Sequence, residues 1–227
     1  MNEWFVPKFG PRKFRIFIGL LFLPYTGMCI SFTIIGSLLY PIVLWERVIA
    51  ISVIYALALG LSAHAADVLG SKTKPWGNYL NKRQLWLLTI SGLAVAYTIG
   101  AYYIIFYVPL LCTVAILEGF FVFAYNLELF KGFFHNNFWF AVSWGVLPVL
   151  AGFIMQTNSI GFLSIIVSLI AGLESYIEIK TSRPYKELKR TGLDKNRMRK
   201  LETRLKTVSL GTIVFTTILV VFRLVVR

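Results

Sequence analysis

Val48-Ile-Ala-Ile-Ser-Val-Ile-Tyr-Ala-Leu-Ala-Leu-Gly-Leu-Ser-Ala-His64-Ala-Ala-Asp67-Val-Leu69 runs for 22 residues with one acid and one histidine, both in its last six positions. A helix that crosses a bilayer needs about 20 mostly apolar residues. The stretch is therefore read as a spanning helix that closes on His64 and Asp67. Its polar end, not its apolar body, is what needs explaining.

Six more stretches of this kind flank it: Phe14 to Tyr40, Gln84 to Ala101, Tyr103 to Tyr125, Phe138 to Met155, Ile160 to Ile179 and Val208 to Val226. A short aromatic turn, Tyr102 to Tyr107, is expected between the third and fourth spans, and Pro24, Pro109 and Pro148 mark expected kinks. The composition agrees. Apolar residues make up 57% of the chain and charged residues 15%, with a mean hydropathy of +0.72; soluble domains carry about 25% charge. The reading is an all-α, polytopic transmembrane bundle of about seven helices around a central cavity, one domain over residues 1–227. The first stretch is taken as a retained helix, because no cleavage signal follows it.

Net charge is +13. With the N-terminus inside, twenty of the 23 Lys and Arg fall on the cytoplasmic side, and only Arg47, Arg223 and Arg227 fall opposite. That asymmetry orients a seven-span protein with its N-terminus cytoplasmic and its C-terminus on the far side. The charge thus serves orientation and anionic headgroups. No groove-reading or stacking motif accompanies it, so nucleic acid is not an expected partner. A basic loop is expected over residues 180–206, with a short surface helix from Asp194. Trp4, Trp45, Trp76, Trp86 and Trp139 suit an interfacial belt. Cys29 and Cys112 lie in apolar spans and form neither a disulfide framework nor a zinc pattern.

Two groups of acids end helices on the basic side. His64, Asp67 and Ser71 are spaced i, i+3, i+7, and Glu174 and Glu178 are spaced i, i+4, so each set shares a helix face. Carboxylates at this density suit Mg²⁺, which takes oxygen ligands and keeps phosphate and water in its shell. Lys72, Lys74, Lys180 and Arg183 follow the acids and are candidates to neutralise a diphosphate. The plainer alternative is an acid paired with the next basic loop, an exposed contact of about 0–1 kcal/mol. Glu118 lies within the fourth span, where a carboxylate either serves function or locks helix packing. His135, Asn136 and Asn137 head the fifth helix, and capping is the expected role of the two asparagines.

These motifs resemble those of the UbiA-type intramembrane prenyltransferase superfamily. Its first signature, Asn-Asp-x-x-Asp-x-x-x-Asp followed by a basic residue and Pro, corresponds to Ala63-His64-Ala-Ala-Asp67-Val-Leu-Gly-Ser71 and then Lys74-Pro75. Its second, Asp-x-x-x-Asp at the end of the sixth helix, corresponds to Glu174-x-x-x-Glu178. Tyr125-Asn126, Lys131 and the run Trp144-Gly145-Val-Leu-Pro148-Val-Leu-Ala-Gly152 are similar to its fourth-to-fifth helix segment. The resemblance covers residues 14–190. Its departures are the single acid kept in the first signature, the glutamates of the second, and about seven helices where the family has nine.

The resemblance implies a membrane-embedded transferase. Mg²⁺ on Asp67, Glu174 and Glu178 would bind an isoprenoid diphosphate, steadied by Lys72, Lys74, Lys180 and Arg183. His64, Ser71, Glu118, Tyr125 and Asn126 would line the cavity, and a lipid or aromatic acceptor would capture the prenyl group. Two alternatives stand beside it. One is a catalytically inactive protein on the same scaffold, binding lipid or a partner subunit. The other is a small transporter, for which no repeat is found.

Overall fold

A computed structural model describes residues 3–71 and 80–226. Among them are eight helices and no strand: α1 Arg12–Leu20, α2 Leu23–Leu38, α3 Trp45–Gly70, α4 Lys82–Phe106, α5 Leu111–Ala124, α6 Asn137–Thr157, α7 Phe162–Thr191 and α8 Lys195–Val225. Five of them, α3, α4, α6, α7 and α8, are long and apolar enough to cross a membrane, and the bent pair α1–α2 makes six. Large side chains such as Ile105, Phe162 and Ile218 turn outward at 69%, 80% and 61% exposure. Such a surface is stable only in lipid, so this is a multi-pass membrane protein.

The first span differs from the expected single kinked helix. It breaks into two helices that meet at 42°, with Phe22 between them in the left-handed region (φ 43°). Pro24 lacks the N–H that a continuous helix would use, and it restarts the helix at the first turn of α2. The third span does not end at Ala101. Helix α4 continues to Phe106, and the turn is Tyr107–Leu110, where Pro109 cannot donate and Val108 closes the helix on the Tyr103 carbonyl. The basic loop over 180–206 is not a loop either. Helix α7 continues through it to Thr191, Gly192 caps it with φ 69°, and Asp194 caps α8 by accepting from the Arg197 amide at 2.9 Å. A three-residue turn is all that remains.

Packing is tightest where α2 crosses α6. A Cβ on Gly36 would fall 2.0 Å from the Val149 carbonyl oxygen, and one on Gly152 2.0 Å from that of Thr33. Two small residues let the backbones touch, a usual device where lipid offers no hydrophobic drive to association. Inside α3 and α6 the α-helix gives way to π-segments, Ala56–Ala63 and Val142–Val146. Arg47 donates to the Met155 carbonyl and Arg223 to that of Leu38, so two of the three arginines expected opposite the basic side cap the ends of α6 and α2.

Candidate functional site

The end of the bundle that gathers the start of α2, the end of α3, the α5–α6 connection and the last third of α7 encloses a polar cavity of about 150 Å³. Its wall carries Asp67, Arg183, Lys186, His64, His135, Tyr125, Asn126 and Ser182, between the rings of Phe22, Tyr25, Phe140 and Trp144. Lys186 and His135 both lie close enough to act on the Asp67 charge. Lys186 also lies over the Phe22 ring, 4.9 Å from its centroid.

The aromatic side is ordered by stacking. His64 lies 5.0 Å from Phe22 and 5.1 Å from Trp144, and Trp144 stacks on Phe140 at 5.3 Å and 5°. His135 stacks on Tyr125 at 4.6 Å, with its Nδ1 at 2.9 Å from the Tyr125 carbonyl. Tyr125 follows α5, and its phenol lies within hydrogen-bonding reach of the Arg183 guanidinium. A neutral hydroxyl beside two cations and one carboxylate is a setting for an anion with its own counter-charge.

The expected site residues divide. His64, Asp67, Tyr125, Asn126 and Arg183 line the cavity. Ser71 ends α3 with its amide on the Asp67 carbonyl and is not in that wall. Lys180 is exposed over the Tyr176 ring. Lys72 and Lys74, like Trp76, lie outside the described residues. Glu178 is buried at 1% exposure beside Tyr25, and neither of its oxygens has a hydrogen-bond partner among the described residues. Glu174 accepts from Thr212 at 3.0 Å and lines a separate groove of about 630 Å³ between α2, α7 and α8. Glu118 lies in an apolar pocket between α3, α4 and α5, accepting from Tyr55 and Ser143.

Three carboxylates around one resident ion is therefore not the arrangement here: Glu174 is turned to Thr212, and no three His, Cys, Asp or Glu gather among the described residues. The donors fit another case. Mg²⁺ often takes one or two protein carboxylates and completes its shell with substrate phosphate and water. Asp67, with Arg183 and Lys186 beside it, suits an ion that arrives on a diphosphate.

Lys186, His135, Ser182 and the rings of Phe22, Tyr25, Phe140 and Trp144 were not singled out by sequence as site residues. For α7 a signal existed: Ile179, Ser182, Arg183 and Lys186 keep helical spacing past the point where the span was closed. Of the two asparagines expected to cap α6, Asn136 does so, accepting from the Phe138 and Trp139 amides, while Asn137 is the first residue of the helix and His135 turns into the cavity.

Comparison with protein families, with characterised proteins and with solved structures finds no match. The site has to be read from its own chemistry.

Proposed function

We propose that this chain is a divergent UbiA-type prenyltransferase that takes an isoprenoid diphosphate into the polar cavity and transfers the prenyl group to a lipid or aromatic acceptor. One observation carries the reading: Asp67, Arg183 and Lys186 face one cavity together with the rings of Phe22, Tyr25, Tyr125, Phe140 and Trp144, at the basic end of a lipid-embedded bundle. Arg183 and Lys186 bind the diphosphate. Asp67 would hold the Mg²⁺ that accompanies it, and Glu178, one helical turn before Ser182 on the same face, would offer its oxygens, unpartnered among the described residues, as the second carboxylate. When the C–O bond breaks, the electron pair leaves on the diphosphate and the allylic carbon becomes cationic. Rings such as Trp144 and Tyr25 attract that cation by about 0.5–2 kcal/mol each. The acceptor forms the new bond at that carbon and releases its proton.

The helices alternate in direction, and α5 counts as a seventh crossing in this reading. It has 14 residues, roughly 21 Å at 1.5 Å each. The turns on either side, Tyr107–Leu110 and the α5–α6 connection, make up the remaining depth. In this reading the basic end faces the cytoplasm, and the N-terminus with it.

A second reading is favoured by the position of Glu174. With that carboxylate outside the cavity, the protein binds the isoprenoid diphosphate without turning it over, as a lipid-binding subunit. Titration of purified protein with geranylgeranyl diphosphate, with and without Mg²⁺, tests both. Magnesium-dependent binding lost in Asp67→Asn supports the cavity as the site, and turnover separates enzyme from binder. No binding in either condition sinks both readings.

A further inference from the structure

We propose that Glu118 is a positioning residue for the polar cavity, holding His64 and Trp144 in register from outside its wall. The inference rests on reading that cavity as the ligand site. Glu118 Oε1 accepts from the Tyr55 hydroxyl at 2.9 Å, and Oε2 accepts from the Ser143 hydroxyl at 2.9 Å. Tyr55 is the last residue before the π-segment of α3, and Ser143 lies inside the π-segment of α6. One carboxylate on α5 therefore bonds the residue that enters one irregular segment and a residue inside the other, one oxygen to each.

Both segments lead directly into the cavity wall. His64 is the first residue after Ala56–Ala63, and Trp144 is the neighbour of Ser143. Their rings meet at 5.1 Å. In a regular α-helix, nine residues at about 100° each would turn His64 roughly 180° away from Tyr55. The wider i→i+5 turns take up extra residues and bring the two side chains back toward one side of α3. The register of His64, and of Asp67 one turn on, thus depends on the π-segment persisting.

The second π-segment is held on its other face as well. Ser175 of α7 donates to the Trp144 carbonyl at 3.2 Å, and a Cβ on Gly145 would lie 2.6 Å from the Ala171 carbonyl oxygen. Helix α6 is fixed against α7 by backbone contact, and the Ser143–Glu118 bond links that assembly to α3 through Tyr55. No other acid or base lines the Glu118 pocket among the described residues except the phenols of Tyr55 and Tyr97. The carboxylate's hydrogen bonds go to the two helices it aligns.

Fluorotryptophan-labelled protein tests this by fluorine NMR, with the Trp144 resonance assigned by Trp144→Phe. Glu118→Leu should shift that resonance in the ligand-free protein and weaken geranylgeranyl diphosphate binding by about tenfold or more. Glu118→Gln should leave the resonance in place and the affinity within about twofold, because its amide can accept one hydroxyl and donate to the other. If Glu118→Leu does not fold, Ser143→Ala removes a single bond and should shift the same resonance with an affinity loss of about threefold. A lowered thermal midpoint with an unmoved Trp144 resonance means packing alone and overturns the proposal. Absence of ligand binding by the unaltered protein would defeat the functional reading, while the resonance still decides the role of Glu118.

Discussion

The Tyr25 hydroxyl donates to Ser182 Oγ at 2.9 Å, joining the first turn of α2 to α7 across 157 positions of sequence. Both residues belong to the cavity wall, so one bond ties α2, which brings Tyr25, to α7, which brings Arg183 and Lys186. Tyr25→Phe and Ser182→Ala should each lower stability by about 1 kcal/mol. The double variant should lose little more than either single one, a coupling of about 0.5–1 kcal/mol. Unfolding of the purified protein in mixed micelles measures all three.

The crossing of α2 and α6 makes a contrast among glycines. Gly36→Val and Gly152→Val push a branched side chain into backbone that cannot yield, and overpacking typically costs about 1–3 kcal/mol, with these at or beyond the top. Gly211→Val is the control, since a Cβ there meets nothing within 4 Å. Yield of folded protein and thermal midpoint should fall for the first two and stay unchanged for the third.

Among the cations near the site, placement and not proximity in sequence should decide the effect. Arg183→Gln and Lys186→Gln should each weaken diphosphate binding about tenfold, the scale of one charge-assisted hydrogen bond. Lys180→Gln should stay within about twofold, because Lys180 points away over Tyr176. Equal losses at all three positions would mean a diffuse field and no defined clamp.

The two acidic signatures should part company in the same assay. Asp67→Asn is expected to abolish magnesium-dependent binding, whereas Glu174→Gln is expected to leave it within about twofold. A large loss in Glu174→Gln would return that carboxylate to the ligand and show that α7 rotates when the site fills.

Much of this was legible in the sequence. The run from Val48 to Leu69 gave a span ending on His64 and Asp67, and α3 indeed carries both into the site. Glu174 lies apart from Asp67 for a physical reason. Its i, i+4 spacing to Glu178 fixes a common helix face but not the neighbour that face meets, and the neighbour is Thr212, 38 residues along the chain on α8. The lengths of α7 and α8 were missed because hydropathy marks where lipid ends, while helices continue into water on spacing and caps. The π-segments left no sign at all, since Ala56–Ala63 and Val142–Val146 read as ordinary apolar helix. The side chains that bond them, Glu118 to Tyr55 and Ser143, and Ser175 to the Trp144 carbonyl, come from elsewhere in the chain, and no local pattern announces them.

The residues that line the polar cavity gather toward one end of the bundle, at the start of α2, the end of α3 and the far part of α7, and under the proposed function this constrains which molecules can meet there. In that reading the charged head of an amphiphile stays near the level of its own headgroups while its tail stays in hydrocarbon. No part of it crosses the bilayer midplane. If the proposed function holds, the protein samples the lipids of a single leaflet and is blind to the same lipid on the opposite face.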